Sequence, residues 1–206
     1  KENNMKVYIL FLINIFLITS SSFGNTTIGA DLVSRYVWRG QDYGNTAAVQ
    51  PYIEKTIGSF SFGAWGSSAL NQVQSDSSPS NECDLYVSGK LGSINLFLTD
   101  YFNPKYKGQD KFFNIEKHTI ELSSELNFKE ISFFLASNVF GDDSNSLYLE
   151  YNYKMLSFAA GNGLYSNSGN FTPVSIGLKV LKDNLSVSYI INPDRQTSFL
   201  LFSISL

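Results

Sequence analysis

Residues 173–190, "PVSIGLKVLKDNLSVSYI", alternate between apolar and polar side chains in two runs separated by a short polar connection. The apolar members are Val174, Ile176, Leu178 and Val180 in the first run and Leu185, Val187 and Tyr189 in the second. Successive side chains of a strand point to opposite faces, so each run predicts a strand with one apolar and one polar face. The connection "KDN" at 182–184 predicts a short turn between them.

The same alternation recurs along most of the chain, and no segment after residue 24 has a sustained helical period. We therefore predict an all-β protein of about twelve strands, with ten to fourteen as the range that the pattern allows. The approximate limits are 28–39, 46–57, 60–70, 82–91, 94–102, 116–126, 130–140, 146–153, 156–162, 172–181, 184–191 and 197–206.

The connections between these segments alternate in length. Those after even-numbered strands are short, such as "GS" at 58–59 and 92–93, whereas most of those after odd-numbered strands are long and polar. This sorting is typical of a closed antiparallel transmembrane β-barrel of the bacterial outer membrane, with its N-terminus in the periplasm. A soluble sandwich has no reason to sort its loops in this way. The last segment, 197–206, is predicted to pair with the first and so to remove both sheet edges.

The first 24 residues have the pattern of an export signal. Met5 is the predicted start, Lys6 supplies a positive charge, and an apolar run follows from Val7 to Ile18. Small residues then predict cleavage after Gly24, which leaves 25–206 as the barrel domain. A membrane anchor is the alternative, but the run is shorter than the ~20 residues that a spanning helix needs.

Composition narrows the expected partners. The formal net charge is −3 and the mean hydropathy is −0.07, so neither a basic nucleic-acid surface nor a helical membrane protein is indicated. Aromatic residues reach 15%, and a single cysteine excludes a disulfide framework within one chain. The expected partners are the lipid bilayer, the outer-membrane assembly machinery and small solutes. The oligomeric state stays open.

The stretch "SRYVWRG" at 34–40 is interpreted as the end of the first strand. In that interpretation Arg35 and Arg39 face the lumen, the space inside the barrel, together with Asp31. Tyr36 and Trp38 face lipid as part of the aromatic girdle. A symmetric first hairpin would bring Arg35 near Gln50 and Asp31 near Glu54, two further lumen-facing residues.

Alternation of side chains along the strands places further charged and aromatic side chains in the lumen. These predicted pore-lining residues are Trp65, Asp84, Glu121, Glu125 and Glu150. Two interpretations remain open: charge pairs that fill and stiffen the lumen, or a constriction that selects solutes by charge. We expect the two arginines to pair with facing carboxylates such as Glu54.

Residues 30–92 also resemble a known family. The matching residues are Ser34, Tyr36, Val37, Arg39, Gly40, Gln50, Pro51, Trp65 and Gly66. In this respect the chain resembles the TorF-type putative porins, outer-membrane proteins long described as of unknown function. The resemblance implies a barrel and a porin-like role, and it brings no established substrate.

The functional expectation is a porin that allows passive diffusion of small solutes through a narrow, charge-lined lumen. A sealed structural or adhesive barrel is the alternative, and an outer-membrane lipid-modifying enzyme is a weaker one. Its base would have to be His118, the single histidine, which parity places outward near the rim. We therefore expect no catalytic residues, no cofactor and no metal site. The loop "GDDSNS" at 141–146 lacks a full set of calcium ligands.

Overall fold

The computed structural model describes residues 24–71, 81–104 and 112–206. Within these ranges the chain forms one closed barrel of twelve strands and a small two-stranded sheet. The predicted fold class and strand number of the barrel are confirmed. Residues 1–23, which carry the predicted export signal, lie outside the described residues.

Fourteen strands are described, and β2 and β3 form the small sheet. Their bounds are β1 (Asn25–Val33), β2 (Val37–Trp38), β3 (Gln41–Asp42), β4 (Ala48–Ile57), β5 (Phe60–Ala69), β6 (Asn81–Leu91), β7 (Ile94–Phe102), β8 (His118–Phe128), β9 (Ile131–Phe140), β10 (Leu147–Tyr153), β11 (Leu156–Gly161), β12 (Thr172–Lys182), β13 (Leu185–Asn192) and β14 (Thr197–Ser205). Two 3-10 turns span Ile115–Lys117 and Gly163–Tyr165. Among the described residues there is no helix long and apolar enough to span a bilayer.

The barrel closes through its first strand. β1 pairs antiparallel with β4 on one side and with β14 on the other, so that Asp31 lies opposite both Gln50 and Ser205. Every other barrel strand pairs with its neighbours along the chain. This closing seam is short, because β1 and β14 pair only through residues 31–33 and 203–205. The predicted pairing of the last strand with the first is confirmed.

Two kinds of connection alternate around the barrel, as predicted. At one end, which we call the short-turn end, two-residue turns join five pairs of strands. The first residue of each of these turns has a positive φ, as in the primed turns that match strand twist: Gly58, Gly92, Lys129, Lys154 and Asp183. The opposite end, the long-loop end, carries the other connections. These join β1 to β4, β5 to β6, β7 to β8, β9 to β10, β11 to β12 and β13 to β14, and each is longer than two residues.

Apolar side chains cover the outside of the barrel. Leu122 in the middle of β8 is 53% exposed, whereas its inward neighbour Ser123 is 4% exposed. On β13 the outward Val187 and the inward Ser186 show the same contrast. A contiguous apolar surface of this extent marks a surface made for a partner or a membrane. The predicted facing of these strands is confirmed.

The lumen is filled at the long-loop end and accessible at the short-turn end. Inward side chains near the long-loop end, such as Asn138 and Asn192, are buried. Those near the short-turn end, such as Lys90, Asn127 and Lys179, are exposed. The described interior is therefore packed with side chains toward the long-loop end and more open toward the short-turn end.

The first barrel strand is shorter than predicted. It ends at Val33 and not near residue 39, because residues 37–42 form the separate β2–β3 hairpin. Asp31 consequently faces Gln50, and Glu54 faces Thr27, so the predicted register of the first hairpin is wrong by four residues. The physical cause is the turn at Arg39 and Gly40, where the backbone reverses before the expected turn at 41–44.

Candidate functional site

The β2–β3 hairpin, residues 37–42, lies inside the barrel and crosses the lumen; we call it the inner hairpin. Trp38 pairs with Gln41 across a two-residue turn, in which Arg39 has φ 51° and Gly40 has φ 75°. Positive φ at both positions defines a type I′ turn, which favours glycine at the second position. The sequence Arg-Gly therefore places the arginine at the tip of the hairpin.

The tip is held against the barrel wall by side-chain hydrogen bonds. Asn192 Nδ2 donates to the carbonyl oxygen of Gly40 at 3.1 Å. Arg195 Nη2 donates to Gln41 Oε1 at 3.1 Å, and Gln41 Nε2 donates to the carbonyl oxygen of Leu164 at 3.0 Å. In the chain, the inner hairpin lies between β1 and β4. Its hydrogen bonds fix it to β13 and to the β11–β12 and β13–β14 loops.

Arg39 forms a buried ion pair with Glu121 on the far side of the lumen. Its Nη1 and Nη2 donate to the two carboxylate oxygens at 2.5 and 2.9 Å. The arginine and glutamate side chains are 6% and 1% exposed. Hydroxyl groups of Tyr165 and Tyr101 also donate to Glu121 at 3.2 Å. A bidentate, charge-assisted pair of this kind fixes position strongly and satisfies both charges.

Aromatic rings surround the guanidinium of Arg39. Its central carbon lies 4.2 Å from the ring centroid of Trp38 and 4.5 Å from that of Tyr148, with Tyr165 at 5.0 Å and Phe134 at 5.4 Å. Such cation–π contacts strengthen when water is excluded. Arg39, Glu121 and these rings form what we call the arginine cluster, which joins the inner hairpin to β8, β9 and β10.

Tyr36 and Trp38 lie inside the lumen, which corrects their predicted position in the aromatic girdle. Tyr36 Oη donates to Glu82 Oε2 at 2.7 Å, and its ring packs 5.6 Å from that of Trp65. Trp38 packs 5.4 Å from Tyr101. The parity argument failed because it treated 34–40 as one continuous strand, whereas the chain leaves the barrel wall after Val33.

Arg35 forms the second, more exposed ion pair of the hairpin. Its Nε and Nη2 donate to the carboxylate of Asp42 at 2.9 and 2.6 Å, and the two side chains are 32% and 29% exposed. The guanidinium also lies 5.2 Å from the ring centroid of the inward Phe199. The expected pairing of the arginines with Glu54 is wrong; their partners are Asp42 and Glu121.

The remaining predicted lumen residues lie on the wall of the barrel. Asp31 accepts from Ser205 Oγ, Gln50 donates to Ser67 Oγ, Glu54 accepts from Tyr86 Oη, Glu125 accepts from Asn95 Nδ2, Glu150 accepts from Tyr148 Oη, and Trp65 packs against Tyr36. Asp84 is 5% exposed on the inward face of β6. The structure thus brings Arg39 and Glu121 together and leaves the other carboxylates on separate wall contacts. Their part in conduction stays a prediction.

One comparison with known proteins gives a family. The family model described as "Bacterial protein of unknown function (Gcw_chp)" matches residues 19–189. The chain belongs to the Gcw_chp family. No curated protein matches it. The family description assigns no activity, so the function of this Gcw_chp protein has to be argued from its geometry, and the resemblance to TorF-type porins stays a prediction.

His118 of this Gcw_chp protein is held at the barrel rim by contacts of both ring nitrogens with oxygen atoms. Its Nδ1 lies 2.7 Å from Asp100 Oδ1 and its Nε2 lies 2.6 Å from the carbonyl oxygen of Phe112. The ring stacks on Phe102 at 4.8 Å and is buried. The two ring nitrogens therefore link the backbone at Phe112 to β7 and β8.

The acidic loop at 141–146 is organised by one of its own carboxylates. Asp142 accepts hydrogen bonds from Asn138 Nδ2 and from the backbone N–H groups of Ser144 and Ser146. Partial burial alone would raise the pKa of Asp142, but these hydrogen bonds hold it below its ordinary value. Among the described residues, no group of three or more His, Cys, Asp or Glu side chains could hold a metal ion.

Sequence reasoning missed several members of the site in this Gcw_chp protein. They are Glu82, Tyr101, Phe134, Tyr148 and Tyr165, which come from four strands and one loop. No local pattern links them, because their contacts depend on the position of the inner hairpin. The available sequence indication was Arg39-Gly40, a residue pair suited to a two-residue turn with positive φ.

The docking of the inner hairpin can be tested at Gly40. A Cβ at this position would collide with the backbone carbonyl oxygen of Val174, and the φ of 75° is strained for any other residue. We expect Gly40→Ala to destabilise the folded protein by about 1–2 kcal/mol or more and to expose the peptide bond after Arg39 to trypsin. Gly44→Ala is the matched control, since no atom lies within 4 Å of its added Cβ. Equal behaviour of the two variants would contradict the docked hairpin.

Proposed function

We propose that the protein is an outer-membrane barrel that allows slow passive diffusion of small solutes, with the inner hairpin as its constriction. The observation that carries the proposal is a polar lumen inside an apolar belt, crossed near one end by a hairpin that is not part of the barrel wall. An apolar outer surface suits lipid, and a polar lumen suits water and solutes. The lipid bilayer and the assembly machinery of the outer membrane are the proposed partners.

The narrowness of the proposed passage follows from side chains as well as from the hairpin. Eight-stranded barrels are filled by their side chains and barrels of 16–18 strands hold aqueous channels, so twelve strands give an intermediate interior. The Tyr86 ring lies against the wall over Gly63, where a Cβ would collide with that ring. Solutes of low mass are therefore the proposed cargo, and passage rather than catalysis is the proposed activity.

A sealed structural barrel is the second candidate, and the arginine cluster is the observation that favours it. Arg39 and Glu121 are almost fully buried, which is the environment of a permanent core and not of a water-filled constriction. The two candidates differ in whether the natural chain, with its inner hairpin in place, conducts.

Bilayer recordings distinguish these candidates. The protein should fractionate with outer membranes and migrate faster on gels before heating than after. In planar bilayers we expect a small conductance for the natural chain. Replacing residues 36–43 by a short Gly-Ser linker should raise that conductance severalfold, because this removes the obstruction at the long-loop end. Absence of conductance from the natural chain, shown to be folded by its heat-dependent migration, would refute the channel and leave the sealed barrel.

A further inference from the structure

Two carboxyl groups in the lumen have no ion-pair partner among the described residues. Glu82 and Asp84 lie two residues apart on the inward face of β6, about 7 Å apart along the strand, and both are buried. Neither forms an ion pair with the described residues, whereas the nearby Glu121 is paired with Arg39. We call Glu82 and Asp84 the acidic pair.

Asp84 lacks a partner for one of its oxygens. Its side chain is 5% exposed, and Oδ1 makes no hydrogen bond with the part of the chain that the structure describes. A buried carboxylate oxygen without a donor is costly, because the group has given up its hydration without replacement. Glu82 is better satisfied, since it accepts a hydrogen bond from Tyr36 at 2.7 Å. The acidic pair therefore presents one carboxyl oxygen without a hydrogen-bond partner beside a second buried carboxyl group.

Aromatic rings lie beside these carboxylates. Trp65 is directly opposite Asp84 in the pairing of β5 with β6, and both side chains face the lumen. The ring of Tyr36 packs against Trp65 while its hydroxyl group contacts Glu82. Anionic oxygens next to ring faces suit a cation that both donates hydrogen bonds and lies against π-systems, which describes an organic ammonium group.

We propose that the acidic pair, with Trp65 and Tyr36, binds the ammonium group of a small amine in the lumen. Asp84 Oδ1 accepts one N–H bond, Glu82 supplies the second negative charge, and the rings contact the alkyl part of the amine. The inference deepens the proposed function, because it assigns amine solutes to the constriction. Protonation of Asp84 is the competing way to remove its charge, and the experiment separates the two.

The test measures amine-dependent stability of the folded full barrel in detergent micelles. Ethylammonium chloride is titrated against sodium chloride at constant ionic strength, and the unfolding midpoint is followed by tryptophan fluorescence. We expect a saturable rise in the midpoint with ethylammonium that sodium does not give. Asp84→Asn should weaken the apparent affinity by about tenfold or more, through loss of a charge-assisted hydrogen bond. Glu82→Gln should also weaken the apparent affinity for ethylammonium. This variant provides the test if Asp84→Asn does not fold.

Asp143→Asn is the matched control, because it makes the same charge change in an exposed outer loop and should leave the amine effect intact. An equal ethylammonium effect in the natural chain, Asp84→Asn and Glu82→Gln would overturn the proposal, as would an ethylammonium effect no larger than that of sodium. The measurement needs no open pore. Amine binding without conductance would therefore refute only the channel, and conductance without amine binding would refute only this site.

Discussion

Arg39→Met should lower the free energy of unfolding by about 3–5 kcal/mol, the largest effect that we expect from one substitution. The change removes the cation that neutralises Glu121, a side chain only 1% exposed. The carboxylate would remain buried among aromatic rings, with two tyrosine hydroxyl groups as its main donors. Denaturant unfolding of the barrel in detergent micelles, followed by the fluorescence of Trp38 and Trp65, measures the loss.

Two companion variants show whether the effect comes from the unpaired charge. Arg39→Met combined with Glu121→Leu should recover most of the loss, because an apolar replacement of both partners leaves no buried charge. Arg35→Met is the matched control: it breaks a pair whose members are about one-third exposed and should cost about 1 kcal/mol or less. Similar losses for Arg35→Met and Arg39→Met would show that burial does not decide the strength of these pairs.

Leu122→Arg should destabilise the folded barrel by about 2–4 kcal/mol in a bilayer or block its assembly. Leu122 lies at the middle of β8, faces outward and is flanked on neighbouring strands by Leu98 and Ser137. A guanidinium there would have to lie in hydrocarbon, far from either interface. The measurement is the folded fraction in lipid vesicles, read from heat-dependent gel migration across a denaturant series.

Ser88→Arg is the control for this prediction. Ser88 lies on the inward face of β6 and is half-buried, toward the accessible end of the lumen. The same arginine can reach water there, so folding should be nearly unchanged. If Ser88→Arg were as damaging as Leu122→Arg, the damage would come from side-chain size and not from lipid exposure, and the proposed membrane location would lose its support.

Much of the barrel could be predicted from local patterns. Strands such as β12 and β13 alternate clearly because each must present one apolar and one polar face, and a closed sheet imposes this on all its strands. The short connections could also be predicted from sequence. Two-residue turns require positive φ and therefore favour a few residue types, which mark where such turns occur. The outward position of Leu122 and the inward position of Ser123 were direct consequences of that alternation.

The interior could not be predicted in the same way. Side chains of residues 34–40 alternate in polarity as they would in a strand. No local pattern shows that the chain leaves the barrel wall after Val33. The roles of Tyr36 and Trp38 depend on that departure, because the same rings face lipid on a strand and the lumen on a hairpin. Tyr148 and Tyr165 join the arginine cluster through contacts more than one hundred residues distant in sequence.

The sequence by itself determined the all-β class, the strand number and the facing of the barrel wall, because strand periodicity and turn chemistry act over a few neighbouring residues. Only the tertiary structure decided that the inner hairpin crosses the lumen, that Arg39 pairs with Glu121 and that one Asp84 oxygen has no partner among the described residues. These features arise where the inner hairpin contacts strands on opposite sides of the barrel. Charge pairing across a lumen depends on distance in space, and alternation along a strand carries no information about it.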